Sequence, residues 1–321
     1  MEIKHVETFL TIMKEGSFTR AAECLGYTQS SMTAHIHALE EALSVKLFER
    51  LSRQNTPTAA AEEFFPHAME LLRNQENVVN AMLRFSGRMG STVVIAASEA
   101  ILMAEELMQF SGNFPEVKLN IKVHSCPQIP VMVREGEADL GFFIGIQGPE
   151  DISPLRILAS RVEPTYLVGK KGLFADLPTR DIFARENYIA HVKGKVYAQM
   201  AELAFREWGI SPRIIEAGSI PAVKELVMSG LGVSLLPASA VIRERIGETL
   251  DFRPWEVSGV EPAPCAMLVV HEQKILTPAM TEIAGRIERA FGGTDHGCVF
   301  RSNSARVSEQ LGHPVGVIRP A

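Results

Sequence analysis

The stretch Glu15–Leu43, "EGSFTRAAECLGYTQSSMTAHIHALEEAL", contains two helical patterns separated by Gly26-Tyr27. Ser17 and Thr28 are of the residue types that begin helices, and glycine commonly ends them. The second pattern carries an apolar stripe at helical spacing, formed by Met32, Ile36, Leu39 and Leu43. A helix that packs this stripe against its neighbours must expose its opposite side.

The exposed side of that helix is small and polar towards its N-terminus. It is formed by Ser30, Ala34, His37 and Glu41, with Ser31 and Thr33 beside them. Small polar side chains let a helix enter a major groove and bond to base edges, and the helix N-terminus favours phosphate. Glu41 would repel phosphate, so only the N-terminal half should insert. The pattern predicts a helix-turn-helix; the alternative is an ordinary three-helix bundle with a solvated face.

The residues that follow have the composition of a wing beside a DNA-reading helix. In "VKLFERLSRQNTPTAA", Leu47 and Phe48 form an apolar anchor, and Arg50 and Arg53 lie in a polar loop that ends at Thr56-Pro57. Two guanidinium groups in this position are suited to contact the DNA backbone.

A long helix is predicted after the wing, over residues 58–86. Its apolar seam follows a/d spacing through Phe65, Ala68, Leu72, Gln75, Val79 and Met82. Gly87 and Gly90 end the run, and Pro66 removes one helical hydrogen bond near its start. A seam of this length predicts a homodimer contact. A dimer would place two reading helices on one dyad-symmetric double-stranded DNA site.

Charge and cysteine content limit the class of protein. The chain has 321 residues and a formal charge of −6, and residues 1–60 hold six Lys/Arg against seven Glu. DNA contacts must therefore depend on where the charges lie. The four cysteines, Cys24, Cys126, Cys265 and Cys298, form no C-x-x-C pair, which argues against a disulfide framework or a zinc site. No cofactor is predicted, and no apolar run reaches the ~20 residues of a membrane helix. With charges at positions 2, 4 and 7, a cytoplasmic location is expected.

The N-terminal region closely resembles the DNA-binding domain of LysR-type transcriptional regulators. The resemblance rests on Gly16-Ser17-Phe18-Thr19-Arg20-Ala21-Ala22, Thr28-Gln29-Ser30, Ile36-x-x-Leu39-Glu40 and Leu47-Phe48-x-Arg50. It implies a winged helix-turn-helix over residues 1–57, followed by a linker helix over 58–90. It also implies that Gln29, Ser30, Ser31, Thr33, Ala34 and His35 lie at or near DNA, with Arg20, Arg50 and Arg53 near phosphates.

The match has three departures from the usual family pattern. The family usually has Arg where Ala34 stands and often a basic residue where His37 stands. Its T-x-A-G after the wing is here Thr58-Ala59-Ala60-Ala61. The first two departures concern base preference.

After residue 90 strands alternate with helices, which predicts an α/β fold with mostly parallel sheets. Two lobes are predicted, joined by crossing strands near Arg161–Pro164 and Leu268–Val270. Lobe I covers about 91–162 and 269–291, and lobe II about 163–268. The segment 292–321 lacks periodicity and is predicted to be disordered.

This region, 91–291, resembles the LysR-type effector domain, a relative of the type 2 periplasmic binding proteins. The matching stretches are "VREGEADLGFFI" and "EAGSIPAVKELVMSGLGVSLLP". The resemblance implies a cleft that binds a small-molecule inducer, often a carboxylate.

The residues at strand ends favour an anionic effector. Ser98 and Ser219 each lie between a strand and a helix, so two helix N-termini could face one ligand. The full candidate set is Ser98, Glu99, Ser125, Cys126, Ile144, Gly145, His191, Lys193, Gly218 and Ser219. The alternatives are that both serines only cap helices and that Lys193 is solvated. Cys126 is either a thiol sensor or an inert packed cysteine.

The leading hypothesis is a DNA-binding transcription regulator that acts as a homodimer; tetramers are common in the family. An enzyme is the second hypothesis, but the sequence has no recognisable nucleophile–base pair, carboxylate pair, phosphate loop or metal cluster. A solute-binding receptor is the third, and the N-terminal helices argue against it.

Overall fold

The computed structural model divides the chain into two units. The first contains Met1–Met89 together with Gln273–Pro278, and the second contains Gly90–Glu272 and the chain from Ala279 onward. The structure describes residues 1–51, 54–86, 88–90, 92–98, 103–145, 152–174, 177–191, 195–242, 249–255 and 264–292. Within these ranges, no helix is both long and apolar enough to cross a membrane.

The first unit is a helix-turn-helix with a two-stranded hairpin and a long helix. Its elements are α1 (Ile3–Glu15), α2 (Phe18–Leu25), α3 (Gln29–Leu43), β1 (Phe48–Leu51), β2 (Gln54–Pro57) and α4 (Ala59–Ser86). Ser17 caps α2 by accepting a bond from the Arg20 amide, and Thr28 caps α3 by accepting one from the Ser31 amide, as predicted. Gly26 ends α2 with φ of 68°, a left-handed conformation that glycine adopts without strain.

The core of this unit forms where α3 packs on α1 and α2. Met32, Ile36 and Leu39 are buried as predicted, while Leu43 lies half-buried at the edge. The remaining core side chains are Val6, Phe9, Ile12, Ala21, Ala22, Leu47, Ala61 and Ala68.

The seam predicted along α4 divides into two parts. Its N-terminal part, which includes Ala68, packs into the core of the unit, with Phe65 and Leu72 half-buried beside it. Further along, Val79 and Met82 are exposed. The first half of the seam is therefore used within the chain, and only the second half is accessible to a partner.

Within the described residues, the second unit holds a five-stranded, a three-stranded and a two-stranded sheet, together with their helices. The strands are β3 (Thr92–Ala97), β4 (Lys118–Val123), β5 (Leu140–Gly145), β6 (Leu155–Val162), β7 (Thr165–Lys170), β8 (Tyr188–His191), β9 (Ile214–Ala217), β10 (Ser234–Pro237), β11 (Leu250–Pro254) and β12 (Cys265–His271). The helices are α5 (Ala104–Asn113), α6 (Gln128–Arg134), α7 (Thr179–Arg185), α8 (Lys195–Trp208), α9 (Ile220–Met228), α10 (Ala238–Ile242) and α11 (Pro278–Ala290).

The first sheet has the order β4-β3-β5-β12-β6. β3 is parallel to β4 and β5, whereas β12 is antiparallel to β5 and β6. In the second lobe β7 lies between β10 and β11 with both pairs antiparallel, and β8 is parallel to β9. The expectation of mostly parallel sheets is therefore wrong. β12, which returns from the second lobe, runs against its neighbours in the first sheet.

The first connection between the strands of the two lobes lies at residues 163–164, between β6 and β7. The predicted return crossing at Leu268–Val270 is wrong, because these residues lie inside β12 and pair with β6 of the first sheet. The chain has already returned by Cys265, which pairs with Gly145. β12 is buried along its whole length, so its uniformly apolar sequence does not mark where the chain enters the first lobe.

Some predictions lie outside the described residues. The helix predicted to open at Ser98 is observed from Ala104, and residues 99–102 are not described. The tail predicted to be disordered also lies outside the described residues beyond Gly292. The sequence patterns did not identify α7, α10 or β11.

Candidate functional site

The N-terminal half of α3 presents a row of exposed polar and small side chains. Gln29, Ser30, Thr33 and Ala34 are all exposed. The Thr33 hydroxyl donates to the Gln29 carbonyl at 3.0 Å, and the Ser30 hydroxyl lies 2.9 Å from that of Thr28. These bonds are local and solvent-accessible, so the hydroxyls can exchange them for bonds to base edges at little cost.

Two of the predicted DNA contacts are half-buried. Ser31 is half-buried, and its backbone N–H donates to the Thr28 hydroxyl at 3.2 Å. His35 is half-buried, and its Nδ1 lies 2.9 Å from the Thr8 hydroxyl of α1. Because that hydroxyl already donates to the Lys4 carbonyl at 2.8 Å, His35 Nδ1 must be the donor. His35 thus connects α3 to α1.

The His35 ring packs between two other rings. Its centroid lies 5.1 Å from that of His5 and 5.1 Å from that of Tyr27. His5 is 8% exposed, and no described residue hydrogen-bonds its Nδ1. Burial lowers the pKa of His5, an effect to which nearby His35 and Lys4 add, while Glu2 opposes it. The packing of α1 on α3 therefore favours neutral His5.

Glu40 joins α3 to the base of the wing. It is 5% exposed, and its Oε1 accepts bonds from the Leu47 N–H at 2.9 Å and the Phe48 N–H at 3.3 Å. Its Oε2 lies 2.6 Å from the Lys46 ammonium. Burial alone would raise the pKa of Glu40, but the bonds from Lys46 and the two amides outweigh burial and hold the pKa below its ordinary value. The family resemblance included Glu40 in a motif without assigning this role.

Of the three arginines predicted to contact phosphates, the structure describes Arg20 fully and Arg50 only in its backbone. Arg20 is exposed, and its guanidinium donates to the Glu15 carbonyl at the end of α1. Arg50 was expected in a loop but lies in β1, opposite Asn55. The Arg50 side chain and the whole of Arg53 lie outside the described residues. Thr58 ties the wing to α4, since its hydroxyl donates to the Lys46 carbonyl at 2.8 Å and accepts from the Ala61 N–H at 3.2 Å.

The predicted effector residues of the first lobe lie where neighbouring strands of its sheet end. The Ser98 N–H donates to the Phe142 carbonyl at 3.0 Å, and the His124 N–H donates to the Ala97 carbonyl at 3.1 Å. The chain therefore leaves β3 and β4 side by side, which places Ser98 near Ser125. The Ser98 Oγ is buried without a hydrogen-bond partner among the described residues, whereas the Ser125 hydroxyl donates to Gln128 Oε1 at 2.7 Å.

Three other members of the first-lobe set have restricted access. Cys126 is half-buried against the core cluster that contains Cys265 and Met267. Ile144 and Gly145 are buried at the end of β5. Glu99 lies outside the described residues.

The second-lobe set also collects at one strand edge. β8 and β9 are parallel, with His191 opposite Ala217, so His191 and Gly218 leave the sheet at the same end. Ser219 caps α9 by accepting from the Ala222 N–H at 3.3 Å, and both Gly218 and Ser219 are exposed. Lys193 lies outside the described residues.

A buried carboxylate that the sequence patterns did not reveal lies at the first crossing. Glu163 is 1% exposed; its Oε1 accepts from the Ser239 N–H at 2.8 Å and its Oε2 from Arg161 at 3.3 Å. Burial and the Glu163 charge both raise the pKa of Tyr166. Within the described ranges, no group of His, Cys, Asp and Glu is placed to hold a metal ion.

Comparison with known families accounts for both units. Residues 3–62 match the bacterial regulatory helix-turn-helix protein, lysR family, and residues 86–292 match the LysR substrate binding domain. The chain belongs to the LysR family of transcriptional regulators. LysR-type regulators bind DNA and carry a substrate-binding domain, so the chain is a regulator and not an enzyme.

Similar proteins share this architecture. The HTH-type transcriptional regulator YfiE of Escherichia coli K12 is 30% identical over 298 residues, which cover 91% of this chain and 99% of YfiE. YwqM of Bacillus subtilis 168 is 30% identical over 246 residues, or 75% of this chain and 84% of YwqM. Both are described as uncharacterized regulators.

Solved structures of the family have the same fold. A full-length OxyR variant from Pseudomonas aeruginosa has a TM-score of 0.63 at 20% identity, covering 89% of this chain and 97% of OxyR. Full-length CbnR in complex with its target DNA has a TM-score of 0.56 at 22% identity, covering 90% of this chain and 100% of CbnR. The fold assignment is confirmed by these likenesses.

Proposed function

We propose that this LysR-family regulator binds a dyad-symmetric DNA site as a homodimer, and that a small anionic effector bound between its lobes alters this binding. The observation that carries the DNA part is the exposed row of Gln29, Ser30, Thr33 and Ala34 on α3. Each DNA half-site would receive one α3 in its major groove.

The chemistry of the row supports direct readout of bases. The Gln29 amide can donate and accept, as adenine requires, and the two hydroxyls can bond to several base edges. Ala34 stands where relatives usually carry Arg, so its methyl group offers only an apolar contact, such as one to the methyl group of thymine. Sequence preference should therefore depend on Gln29, Ser30 and Thr33.

Exposed apolar surfaces support association of chains. On α4, Val78, Val79, Met82 and Phe85 are 54–86% exposed, which is a large apolar stripe for a helix that faces only water. β4 and β9 are outermost strands of their sheets and carry exposed Ile121, Val123 and Ile214. Exposed apolar edge strands are ready to pair with another chain. A stripe on α4 and separate edge strands suit a homodimer that can assemble further into a homotetramer.

The charge preference of the effector follows from the second-lobe edge. The α9 N-terminus begins at exposed Ser219, and the end of β8 supplies His191 beside it. Backbone N–H groups at a helix start attract anions, and a histidine cation would add to that attraction. From the first lobe, Ser98 contributes a hydroxyl that has no hydrogen-bond partner among the described residues.

The DNA part is tested by selecting binding sites from a randomised library built on the upstream region of the gene. We expect Thr33→Ala to lower discrimination at one position of each half-site by about 1–3 kcal/mol. Thr11→Ala is the matched control, because the Thr11 hydroxyl makes the same kind of bond, to the Glu7 carbonyl at 2.9 Å, on α1. Base preferences equal in the two variants would contradict the reading role of α3.

The effector part is tested by thermal stabilisation of the purified chain with a panel of small carboxylates and inorganic phosphate. We expect at least one anion to raise the melting temperature, and Ser219→Ala to reduce that ligand-induced rise. Ser229→Ala is the control, since Ser229 is an exposed serine at the other end of α9. Equal ligand-induced rises in both variants would contradict the assignment of this edge.

A further inference from the structure

The segment Gln273–Pro278 connects β12 to α11 in the second unit but packs with the first unit, against α4. Asn77 of α4 holds its backbone at two points. The Asn77 Nδ2 donates to the Gln273 carbonyl at 2.7 Å, and the Ile275 N–H donates to Asn77 Oδ1 at 2.7 Å. One turn on, Asn80 Nδ2 donates to the Ile275 carbonyl at 3.2 Å.

Both asparagines are buried, with Asn77 8% and Asn80 5% exposed. A buried amide that satisfies both its donor and its acceptor on backbone groups fixes the position of that backbone. Loss of either partner would leave buried polar groups unpaired, so sliding of the segment along α4 is costly.

A buried lysine adds a charged contact to the same face. Lys274 is 8% exposed, and its ammonium lies 2.6 Å from Glu76 Oε1. Arg73 donates to Gln273 Oε1 at 3.3 Å. A lysine that leaves water needs a partner, and Glu76 holds it against α4.

The contacts lie on the opposite side of α4 from its apolar stripe. At about 100° per residue, Arg73, Glu76, Asn77 and Asn80 centre on one face of the helix. Val78, Met82 and Phe85 centre about half a turn away. A rotation of α4 imposed through the contacts on one face would therefore change the direction in which the apolar stripe on the opposite face points.

We propose that residues 273–278 form a strap that transmits changes in β12 and α11 to α4, with Asn77 as its positioning residue. The strap is hydrogen-bonded to α4 and is continuous in the chain with β12 and α11. Its regulatory consequence rests on the proposed function, in which the apolar stripe of α4 forms the dimer contact and α4 comes after the DNA-reading helix in the chain. The physical coupling itself requires neither DNA nor effector.

The test perturbs α11 and measures α4 by hydrogen–deuterium exchange on the full-length chain. Ile283 of α11 is 1% exposed, and Ile283→Val is a mild core change that should speed exchange by roughly 2- to 12-fold where its effect is felt. We expect that acceleration in peptides covering residues 74–82 of the otherwise wild-type chain. In the Asn77→Ala background, Ile283→Val should add no acceleration there.

Two variants calibrate the strap itself. Asn77→Ala should speed exchange of the Ile275 amide by roughly 5- to 150-fold, since that N–H loses its acceptor. Asn77→Asp keeps the acceptor of the Ile275 N–H and loses the donor to the Gln273 carbonyl, so exchange of the Ile275 amide should rise less than in Asn77→Ala. This variant serves as the background if Asn77→Ala does not fold. Asn74→Ala is the matched control, as Asn74 is an exposed asparagine on the same helix.

The proposal is overturned if Ile283→Val leaves α4 exchange unchanged in the wild-type background, or speeds it equally in the Asn77→Ala background. It is also overturned if Asn77→Ala behaves like Asn74→Ala. Since no DNA or anion is present, these outcomes are independent of whether the chain reads a dyad-symmetric site.

Discussion

Replacement of Glu40 by alanine should detach the wing from the reading helix. The change leaves the buried Leu47 N–H without its acceptor, which costs about 1–3 kcal/mol. The longer bond to the Phe48 N–H should add about 0.5–1 kcal/mol. The Lys46 side chain is 65% exposed, so its ion pair contributes no more than about 1 kcal/mol. We expect Glu40→Ala to destabilise the first unit by about 2–4 kcal/mol.

Hydrogen exchange of the full-length chain is the suitable assay, because both tryptophans, Trp208 and Trp255, lie in the second unit. A loss of about 2–4 kcal/mol should speed exchange at Leu47 and in α3 by roughly 30- to 1000-fold. Glu40→Gln retains an oxygen acceptor, so it should cost only about 1 kcal/mol.

The exposed neighbour Glu41 supplies the control, as Glu41→Ala removes a carboxylate from the same helix. Exchange in Glu40→Ala within about threefold of that in Glu41→Ala would refute the anchoring role. An effect of Glu40→Gln equal to that of Glu40→Ala would show that charge, and not the acceptor, is what matters.

The stabilisation by Glu40 should also depend on pH. Its pKa is lower in the folded chain than in the unfolded chain, so the unfolded state binds more protons between the two values. The contribution is complete above the unfolded value, near 4.5, and is lost as the pH falls through the folded value. The difference between wild type and Glu40→Gln should therefore shrink in acid.

Three further predictions concern DNA affinity, pH and assembly. Arg50→Ala and Arg53→Ala should weaken binding to all sequences alike and flatten the plot of log affinity against log salt by about 0.9 for each phosphate that is no longer neutralised; altered base preference with an unchanged slope would contradict the wing assignment. Because burial lowers the pKa of His5, its contribution to stability is present above the unfolded value, near 6.5, and is lost as the pH falls through the folded value. His5→Phe should make urea unfolding of the first unit, followed by circular dichroism, less dependent on pH between about 5 and 7, and an unchanged pH profile would exclude His5 as the cause. Phe85 is 86% exposed, so Phe85→Glu should dissociate the dimer in sedimentation equilibrium while leaving exchange in α1–α3 unchanged; an unaltered mass would show that α4 is not the contact.

Local periodicity was sufficient to predict most of the elements. The spacing of Met32, Ile36 and Leu39 predicts both the helix and its buried face, because side chains three and four positions apart share one side of a helix. Ser17 and Thr28 mark helix starts because capping involves only the next turn. The return crossing into the first lobe was predicted at the wrong place, since β12 is buried along its whole length and its sequence shows no break.

The residues that hold the site in place were less accessible to sequence reasoning. His35 was expected at DNA, yet it is turned towards Thr8, which lies 27 positions away in the chain. Glu40 was recognised only as part of a motif, since the amides that it binds are positioned by the way the chain turns after Ser44. A helical pattern predicts which side of a helix is polar, but not which polar side chain finds a partner across the core.

By itself the sequence determined that α3 has an apolar side and a serine- and threonine-bearing side, and that an α/β pair of lobes follows a long helix. Those properties depend on residues within a few positions of one another. Only the tertiary structure decided that Asn77 would hold a backbone segment 196 positions away. Such contacts depend on the closure of long loops, whose partners are selected by packing and hydrogen-bond geometry in three dimensions and leave no periodic trace in the chain.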